Sequence, residues 1–450
     1  MSASTTDRAE ALRRGRARRA LAAGSVGNFI EWYEFGAYGY FATVIAANFF
    51  GGDGSGGGGA AAGAESLVKT YASFALAFFF RPVGAALFGR AGDRLGRRAA
   101  LVAALLLMTG ATTAIGLLPT HAVLGAAAPW VLTLVRVLQG LSAGGEFGGA
   151  VSLMTESAPP GRRGLYGAWQ SFTVALGLLA GAGLAAALAT GLGERALYGW
   201  GWRVPFLLAL PLGLVALWLR LRLEETPSFR QARRGEDKLP AAGVTAASAA
   251  PRAEVVRAVA LGTGRIMGWS AAGYTFLVVL PSYLQNTLGT TFSQALAATV
   301  LANLGFALSV LPAGALSDRV GRRPVMVTGA VLVVLLAFPL LRVVQSGTAG
   351  APAKGLAVFA AGAAVGLMAG PGPAMLAEMF PARVRCTGLG LAYALANAVF
   401  SGCAGLVITG SLERTADADV PAYYTVVTCA ISAAALLTLR GDDHRRALRD

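Results

Sequence analysis

The chain is poor in charged residues and in the residue types that most catalytic and metal sites need. Charged residues make up 14% of its 450 residues, whereas soluble proteins average about 25%. Its two histidines are His121 and His444, and its three cysteines are Cys386, Cys403 and Cys429. The cysteines have neither the spacing of a disulfide framework nor that of a zinc site. We therefore expect no metal, no cofactor and no enzymatic activity.

Lysine is almost absent as well. The three lysines are Lys69, Lys238 and Lys354, and none of them follows a glycine. The phosphate-binding sequence G-x-x-x-x-G-K-[ST] is therefore missing. This absence argues against a pump that is driven directly by ATP.

Apolar residues dominate instead, at 55% of the chain with a mean hydropathy of +0.59. A helix needs roughly 20 mostly apolar residues to cross a bilayer. Hydropathy and turn signals predict twelve such helices, at 23–50, 66–88, 100–118, 129–152, 167–189, 203–220, 258–288, 294–315, 325–343, 355–376, 387–410 and 422–439. The predicted fold class is an all-α membrane protein with twelve transmembrane helices.

The net charge is +15, and the positions of the basic residues explain it better than a nucleic-acid partner does. If the N-terminus is cytoplasmic, 29 of the 38 Lys and Arg residues lie on the cytoplasmic side and six on the opposite side. This bias is the positive-inside pattern of membrane proteins. It predicts a protein of the cell membrane with both termini in the cytoplasm, lipid as its surroundings and no nucleic-acid partner.

Two motifs occur twice, which indicates an internal duplication. The segments 89–98 and 314–323 both read G-x-x-x-D-R-x-G-R-R, 225 positions apart. The segments 156–163 and 378–385 both read E-x-x-P-x-x-x-R, 222 positions apart. Such repeats predict two pseudo-symmetric six-helix halves with a substrate site between them near the membrane midplane.

The predicted domain organisation follows from these repeats and from the polar segments. It comprises a basic N-terminal tail (1–20), an N-terminal bundle (21–222), a cytoplasmic linker (223–256), a C-terminal bundle (257–440) and a C-terminal tail (441–450). We expect the D-R-x-G-R-R segments to be turns between neighbouring helices. Nothing in the sequence demands more than a monomer.

Six ionisable residues fall within predicted membrane helices, where each charge costs at least about 2.5–3.5 kcal/mol to bury. They are Glu31, Glu34, Arg81, Arg136, Glu146 and Arg265. Glu31, Glu34 and Tyr38 are spaced so that one helix face carries all three. We expect these side chains to face a cavity and one another.

The repeated loop motif resembles that of the major facilitator superfamily of transporters. The segment 27–39, G-N-x-x-E-W-Y-E-F-x-x-Y-G, resembles the first-helix signature of its metabolite:proton symporter family, as does G-G-E-F-G-G at 144–149. Further similar segments begin at Arg81, Arg136, Trp202, Glu225 and Pro281, so the resemblance covers nearly the whole chain. Where relatives usually carry Asp, this chain has Glu34.

The resemblance implies import of a small polar metabolite driven by protons. We predict that Glu34 carries the proton with Arg136 as its partner, and that Glu31 is the second candidate. A purely structural role for these charges is the alternative. A carboxyl group suits proton transport because burial and a nearby guanidinium act on its ionisation in opposite directions.

We predict an organic acid such as 2-oxoglutarate, citrate or shikimate as the substrate, because arginines can bind carboxylates in a bidentate manner. If Glu34 and Glu146 neutralise Arg136 and Arg81, a zwitterion such as proline or glycine betaine becomes an equal alternative. Aromatic rings could then hold its cationic group. The predicted substrate-binding residues are Arg265, Arg81, Glu146, Tyr38, Trp32, Tyr274, Tyr283 and Gln139.

The resemblance also implies a cytoplasmic latch that breaks when the carrier opens inward. The predicted gating residues are Gly89, Asp93, Arg94, Gly96, Arg97, Gly314, Asp318, Arg319, Gly321, Arg322, Glu156, Arg163, Glu378 and Arg385. Two rival functions remain open at this point. One is a non-transporting membrane sensor, which would be expected to carry a further cytoplasmic domain, and the other is drug efflux.

Overall fold

The computed structural model describes residues 25–51, 64–95, 97–156, 158–221, 252–381 and 385–440. Side chains are described within these ranges except at 64, 89–95, 97–101, 153, 252 and 386. The predicted tails at 1–20 and 441–450, and residues 223–251 of the predicted linker, lie outside the described residues.

The described ranges form twelve long helical segments, which confirms the predicted number. In the N-terminal half these are α1 (25–40, Ala42–Ile45 and Ala46–Phe50), α2 (Ala64–Phe79 and Arg81–Leu95), α3 (Arg97–Leu117), α4 (Ala127–Ala143 and Glu146–Glu156), α5 (Arg163–Gly191) and α6 (Val204–Leu221). Short helices His121–Leu124, Glu194–Gly199 and Gly201–Arg203 lie in the connections.

The C-terminal half repeats this arrangement. Its helices are α7 (Arg252–Tyr274, Thr275–Val279 and Leu280–Leu288), α8 (Phe292–Val320), α9 (Arg322–Gln345), α10 (Ala351–Ala369 and Gly372–Met379), α11 (Arg385–Ala396, Asn397–Gly402 and Ala404–Thr415) and α12 (Val420–Leu437). We name the face at which α1 begins the inner face, because its charges predict it to be cytoplasmic, and the opposite face the outer face.

Eight of the described helical segments are long and apolar enough by length and composition to cross a membrane. Large apolar side chains such as Trp130, Leu134 and Leu308 are exposed on the surface of the bundle. A surface of this kind suits lipid rather than water. The chain is therefore an integral membrane protein.

The two halves pack their helices in corresponding ways through glycines. A Cβ atom at Gly140 of α4 would overlap the Ala77 carbonyl oxygen of α2. In the same manner, a Cβ atom at Gly362 of α10 would overlap the Ala302 carbonyl oxygen of α8. Small residues let helix backbones approach closely in membranes. The matching α2–α4 and α8–α10 contacts support the predicted pseudo-symmetry.

Helix breaks also occur in corresponding helices. The helix α4 is interrupted at Gly144 and Gly145, and α10 at Gly370 and Pro371. The first helix of each half contains a π-helical turn, in α1 near its outer end and in α7 at Thr275–Val279. Such turns bend helices and leave some backbone groups without their usual helical partners.

The D-R-x-G-R-R segment differs from its predicted form as a turn. In the second copy α8 runs on through Asp318 and Arg319 to Val320, and only Gly321, with a φ of 100°, separates it from α9. A positive φ of this size favours glycine. The motif is thus the last turn of one helix, a single-glycine break and the first turn of the next.

The two halves touch at both faces. Toward the inner face α5 packs on α8 and α10, and α4 packs on α11. Toward the outer face α2 packs on α11, and the Tyr71 and Ser282 hydroxyls lie 2.9 Å apart between α2 and α7. The Thr43 hydroxyl also donates to Gln285 at 3.2 Å. The conformation is therefore closed at both faces.

We expect Gly140→Ala to destabilise the protein by about 1–3 kcal/mol, because the added methyl forces α2 and α4 apart. Thermal unfolding of the purified protein in detergent measures the effect as a lower Tm. Gly110→Ala is the matched control, since a Cβ atom there meets nothing within 4 Å. An unchanged Tm for Gly140→Ala would contradict the close α2–α4 contact.

Candidate functional site

Glu34, in the middle of α1, is connected to α3 and α4 through a chain of polar side chains. The Thr112 hydroxyl donates to the Glu34 carboxylate at 2.5 Å, and the Gln139 amide donates to the Thr112 hydroxyl at 2.7 Å. The Arg136 guanidinium donates in turn to the Gln139 side-chain oxygen. All four residues have 0% exposure. The chain therefore lies entirely in the low-dielectric interior, where hydrogen-bonded groups polarise one another.

The predicted partnership of Glu34 and Arg136 takes an indirect form, because Thr112 and Gln139 lie between them. The Arg136 guanidinium lies instead over the Tyr38 ring, 4.0 Å from its centroid. Its Nε and Nη2 atoms, and the Oε1 atom of Glu34, have no hydrogen-bond partner in the structure. Unsatisfied buried polar atoms are costly. Glu34 and Arg136, at the two ends of this series of hydrogen bonds, can therefore each bind a further group.

Glu31 and Arg81 form a second buried group, nearer the inner face. The Arg81 Nη2 atom lies 3.2 Å from a Glu31 carboxylate oxygen, and their side chains are 3% and 6% exposed. The rings of Phe35 and Phe78 lie 4.3 and 4.2 Å from the Arg81 guanidinium carbon. These cation–π contacts hold the guanidinium in place. Its Nε and Nη2 atoms make no hydrogen bond in the structure.

Glu146 does not neutralise Arg81. It pairs with Arg220 of α6, and the pair is largely buried. A Cβ atom at Gly27 of α1 would overlap both members of this pair. The glycine therefore makes room for the ion pair beside the backbone of α1. The sequence did not indicate a role for Arg220. Because this residue lies near the end of α6, it was grouped with the basic residues of the inner face.

A small internal cavity of about 10 Å³ lies beside these charges, between the two halves. That volume is about the space of one water molecule. The cavity is lined by Asn28, Glu31, Trp32, Arg81, Ala143, Gly144, Phe147, Gly390, Tyr393 and Ala394. Both halves thus contribute to its wall, as expected for a substrate site that alternates between faces.

Phe147 and Tyr393 close this cavity across the boundary between the halves. Their rings are stacked, with centroids 3.4 Å apart and planes at 4°. Neither residue was among the predicted substrate-binding residues. Phe147 belongs to the G-G-E-F-G-G motif, which could have indicated a role in the site. Tyr393 lies in an uncharged part of α11, and no motif there indicated such a role.

The remaining predicted substrate residues divide into two groups. Trp32 and Tyr274 lie together near the cavity, with ring centroids 6.0 Å apart, and the buried Tyr274 hydroxyl has no hydrogen-bond partner. Tyr38 hydrogen-bonds Ser73. Two others point elsewhere: Arg265 donates to the Thr438 hydroxyl at 2.8 Å, and the Tyr283 hydroxyl donates to the Ala418 carbonyl.

At the inner face Asp318 connects the two halves. Its carboxylate oxygens accept hydrogen bonds from the backbone N–H groups of Gly164 and Leu165 at 2.7 and 2.9 Å. These donors lie in the first turn of α5, where a negative charge is favoured by the helix dipole. The Arg322 guanidinium donates to the same carboxylate at 2.8 Å. Asp318 thus caps a helix of the opposite half.

The other predicted gating residues lie around this contact. The Arg322 guanidinium bonds Glu378, which also lies 3.4 Å from Arg163, and Arg385 pairs with Glu156 at 2.7 Å. Gly314 packs against Gly164, and Arg319 is exposed. In the first copy the side chains of Asp93, Arg94 and Arg97 are not described, Gly89 is described only as part of α2, and Gly96 lies outside the described residues.

The family of the chain follows from comparisons with known proteins. The sequence model of the family "Sugar (and other) transporter" matches residues 20–260, and that of the "Major Facilitator Superfamily" matches residues 266–449. The chain belongs to the major facilitator superfamily. This membership agrees with the predicted family and with the twelve-helix fold.

Two known transporters resemble the chain in sequence, and one solved structure shares its fold. The chain is 33% identical to the glycine betaine/proline/ectoine/pipecolic acid transporter OusA of Dickeya dadantii over 423 residues, covering 93% of this chain and 82% of that one. It is 35% identical to the alpha-ketoglutarate permease of Escherichia coli over 392 residues, covering 86% of each. The proton:xylose symporter XylE of E. coli has the same fold, with a TM-score of 0.74 at 17% identity over 94% of this chain and 95% of that one.

These relatives are transporters, so the superfamily member described here is a membrane transporter of small molecules rather than an enzyme. XylE is named a proton:xylose symporter, and the relatives differ in substrate. The predicted organic acid agrees with some of them, and the alternative zwitterion agrees with others, including OusA.

We expect Thr112→Val to lower proton-driven uptake by about tenfold, the equivalent of one hydrogen bond to a charged group. If Glu34 carries the proton, as the sequence predicts, loss of the Thr112 donor destabilises its charged form and slows proton release. Counterflow exchange, which needs no net proton movement, should be retained. Thr113→Val is the matched control because the Thr113 hydroxyl has no hydrogen-bond partner in the structure. Equal uptake by both variants would contradict a role of the Thr112 hydrogen bond in proton-driven uptake.

We expect Asp318→Asn to favour opening at the inner face by about five- to thirtyfold, since it weakens charge-assisted bonds that join the halves. The measurement is thiol labelling of Ala168→Cys, at the α5–α8 contact, in a variant whose native cysteines are replaced by alanine. Asp419→Asn is the control, because Asp419 pairs with Arg342 within one half. Unchanged labelling in Asp318→Asn would show that the contact does not hold the inner face closed.

Proposed function

We propose that this transporter is a proton symporter that imports a small zwitterion carrying a carboxylate, such as glycine betaine or proline, by alternating access. One observation carries the proposal: a buried Arg81–Glu31 ion pair faces the cavity between the halves, beside an aromatic wall. The guanidinium retains unsatisfied donors, which suit the ligand carboxylate.

The wall of the cavity suits the other end of a zwitterion. Trp32 and Tyr393 border the cavity, and Tyr274 lies next to Trp32. Aromatic faces attract ammonium groups, including quaternary ones. The Glu31 carboxylate, which also borders the cavity, adds a negative charge. A ligand with one charge of each sign therefore finds a complementary charge at each end.

The relatives support two substrate classes. OusA is named a transporter of glycine betaine, proline, ectoine and pipecolic acid, all of which carry a carboxylate and a nitrogen centre. The alpha-ketoglutarate permease supports the second candidate, an organic acid, at similar identity. We favour the zwitterion because Arg81, the arginine that borders the cavity, pairs with Glu31, so this pair offers no net positive charge to an anion.

For coupling, we propose that Glu34 carries the proton and that the Thr112–Gln139–Arg136 chain stabilises its charged form. A buried carboxyl that can be neutral in one conformation and charged in another couples proton binding to alternating access. The inner-face contacts of Asp318, Arg322 and Glu378 act as the latch. With the inner face cytoplasmic and both termini in the cytoplasm, the latch opens toward the cytoplasm.

The test is uptake into proteoliposomes of labelled glycine betaine, L-proline, 2-oxoglutarate, citrate and shikimate, with and without an inward proton gradient. We expect gradient-driven accumulation of a zwitterion by the wild type. Glu34→Gln should abolish accumulation while retaining counterflow, because substrate binding remains but the proton site does not.

The matched control is Glu65→Gln, which removes an exposed carboxylate that pairs with Lys69 at the outer end of α2. It should accumulate substrate like the wild type. Accumulation of 2-oxoglutarate or citrate alone would replace the zwitterion with the organic acid. Uptake that does not respond to the gradient would overturn the proposal of symport.

A further inference from the structure

Two of four neighbouring buried charges, Glu31 and Arg81, border the cavity. Glu31 and Arg81 form one ion pair, and Glu146 and Arg220 form the next, one turn of α1 nearer the inner face. Arg81 and Arg220 both act electrostatically on Glu31. The group thus contains two charges of each sign, and its net charge is zero.

The charge of an incoming ligand decides whether this neutrality is kept. A zwitterion places its carboxylate on Arg81 and its cation beside Glu31, so the net charge stays at zero. An anion of the same shape also occupies Arg81 but brings no cation, which leaves Glu31 without a partner. An unpaired charge in a low-dielectric interior is costly, and the usual outcome is that the group is neutralised by a proton.

We propose that Glu31 sets the charge that a ligand must bring. A zwitterion enters with Glu31 ionised, whereas the isosteric monoanion enters only together with one additional proton, taken from water and bound on the Glu31 carboxylate. This inference rests on the proposed function of the site. It assigns Glu31 a role separate from that of Glu34, whose proton is common to both ligands.

A movement of Arg220 toward Glu31 would not remove the need for the additional proton when an anion binds. If Arg220 moved to Glu31, Glu146 would lose its partner, and the group would still hold one carboxylate too many. The titratable and charged groups that interact electrostatically with Glu31 are Glu34 on α1, Arg81 on α2, Arg220 on α6, Tyr274 on α7 and Tyr393 on α11. Glu146 on α4 pairs with Arg220, and Arg136 on α4 interacts with Tyr274. Only a carboxylate among these gains a proton when an anion arrives.

Two pairs of isosteric ligands test the inference. Glycine betaine is compared with 3,3-dimethylbutanoate, and L-proline with cyclopentanecarboxylate, in which carbon replaces the cationic nitrogen. Calorimetric titration of the full-length protein in buffers of different ionisation enthalpy counts the protons taken up with each ligand. We expect one more proton with the anion than with its zwitterion. The affinity ratio should then change by about tenfold per pH unit.

Two variants locate the extra proton. In Glu31→Gln the difference in proton count between the isosteres should vanish, and the preference should shift from the zwitterion toward the anion. In the matched variant Glu34→Gln, which removes the other α1 carboxyl one turn away, the difference of one proton should persist. A difference that persists in Glu31→Gln would overturn the assignment to Glu31.

The wild-type comparison needs no variant, so it remains decisive if Glu31→Gln fails to fold. Equal proton counts for a zwitterion and an anion that both bind the wild type would overturn this inference and leave the proposed symport intact. The proposed function fails separately, if neither zwitterion binds or if the uptake experiment shows no dependence on the proton gradient.

Discussion

The cost of placing charge in a membrane protein governs the rest of this structure. Glu31, Glu34, Arg81 and Arg136 are each 5% exposed or less, far from the water that would solvate them. Such groups persist because each is paired, hydrogen-bonded or stacked on an aromatic ring. The same arrangement leaves a few donors and acceptors unsatisfied beside the cavity. These are the groups that a ligand or a proton can complete.

Close helix packing is what brings the charges together. Gly84 and Gly140 let α2 and α4 approach until backbone atoms touch, and Arg81 and Arg136 lie on these two helices. Gly27 gives the Glu146–Arg220 pair its space against α1. Glycine is therefore as important to the site as the charged residues, because a single methyl group at these positions would collide with backbone or with an ion pair.

In the proposed symporter the two buried groups have separate positions and separate roles. The hydrogen bonds of the Glu34 chain join α1, α3 and α4, all in the N-terminal half. The Glu31–Arg81 pair borders a cavity to which α11 also contributes. A ligand there contacts both halves and can favour the closed state. In the same proposal, the inner-face contact of Asp318 with α5 stabilises the closed state and must break for release.

The sequence by itself determined the twelve helices, the duplication and the buried charges, because hydrophobic runs, repeats and intramembrane ionisable residues are local signals. Only the tertiary structure decided which charges meet. Glu146 pairs with Arg220 rather than Arg81, Thr112 and Gln139 stand between Glu34 and Arg136, and Arg265 turns toward Thr438. Tyr393 lines the cavity, although no motif or charge in the sequence around it predicted this. These outcomes depend on how helices rotate and approach one another, and helix rotation is set by packing against neighbours distant in the chain.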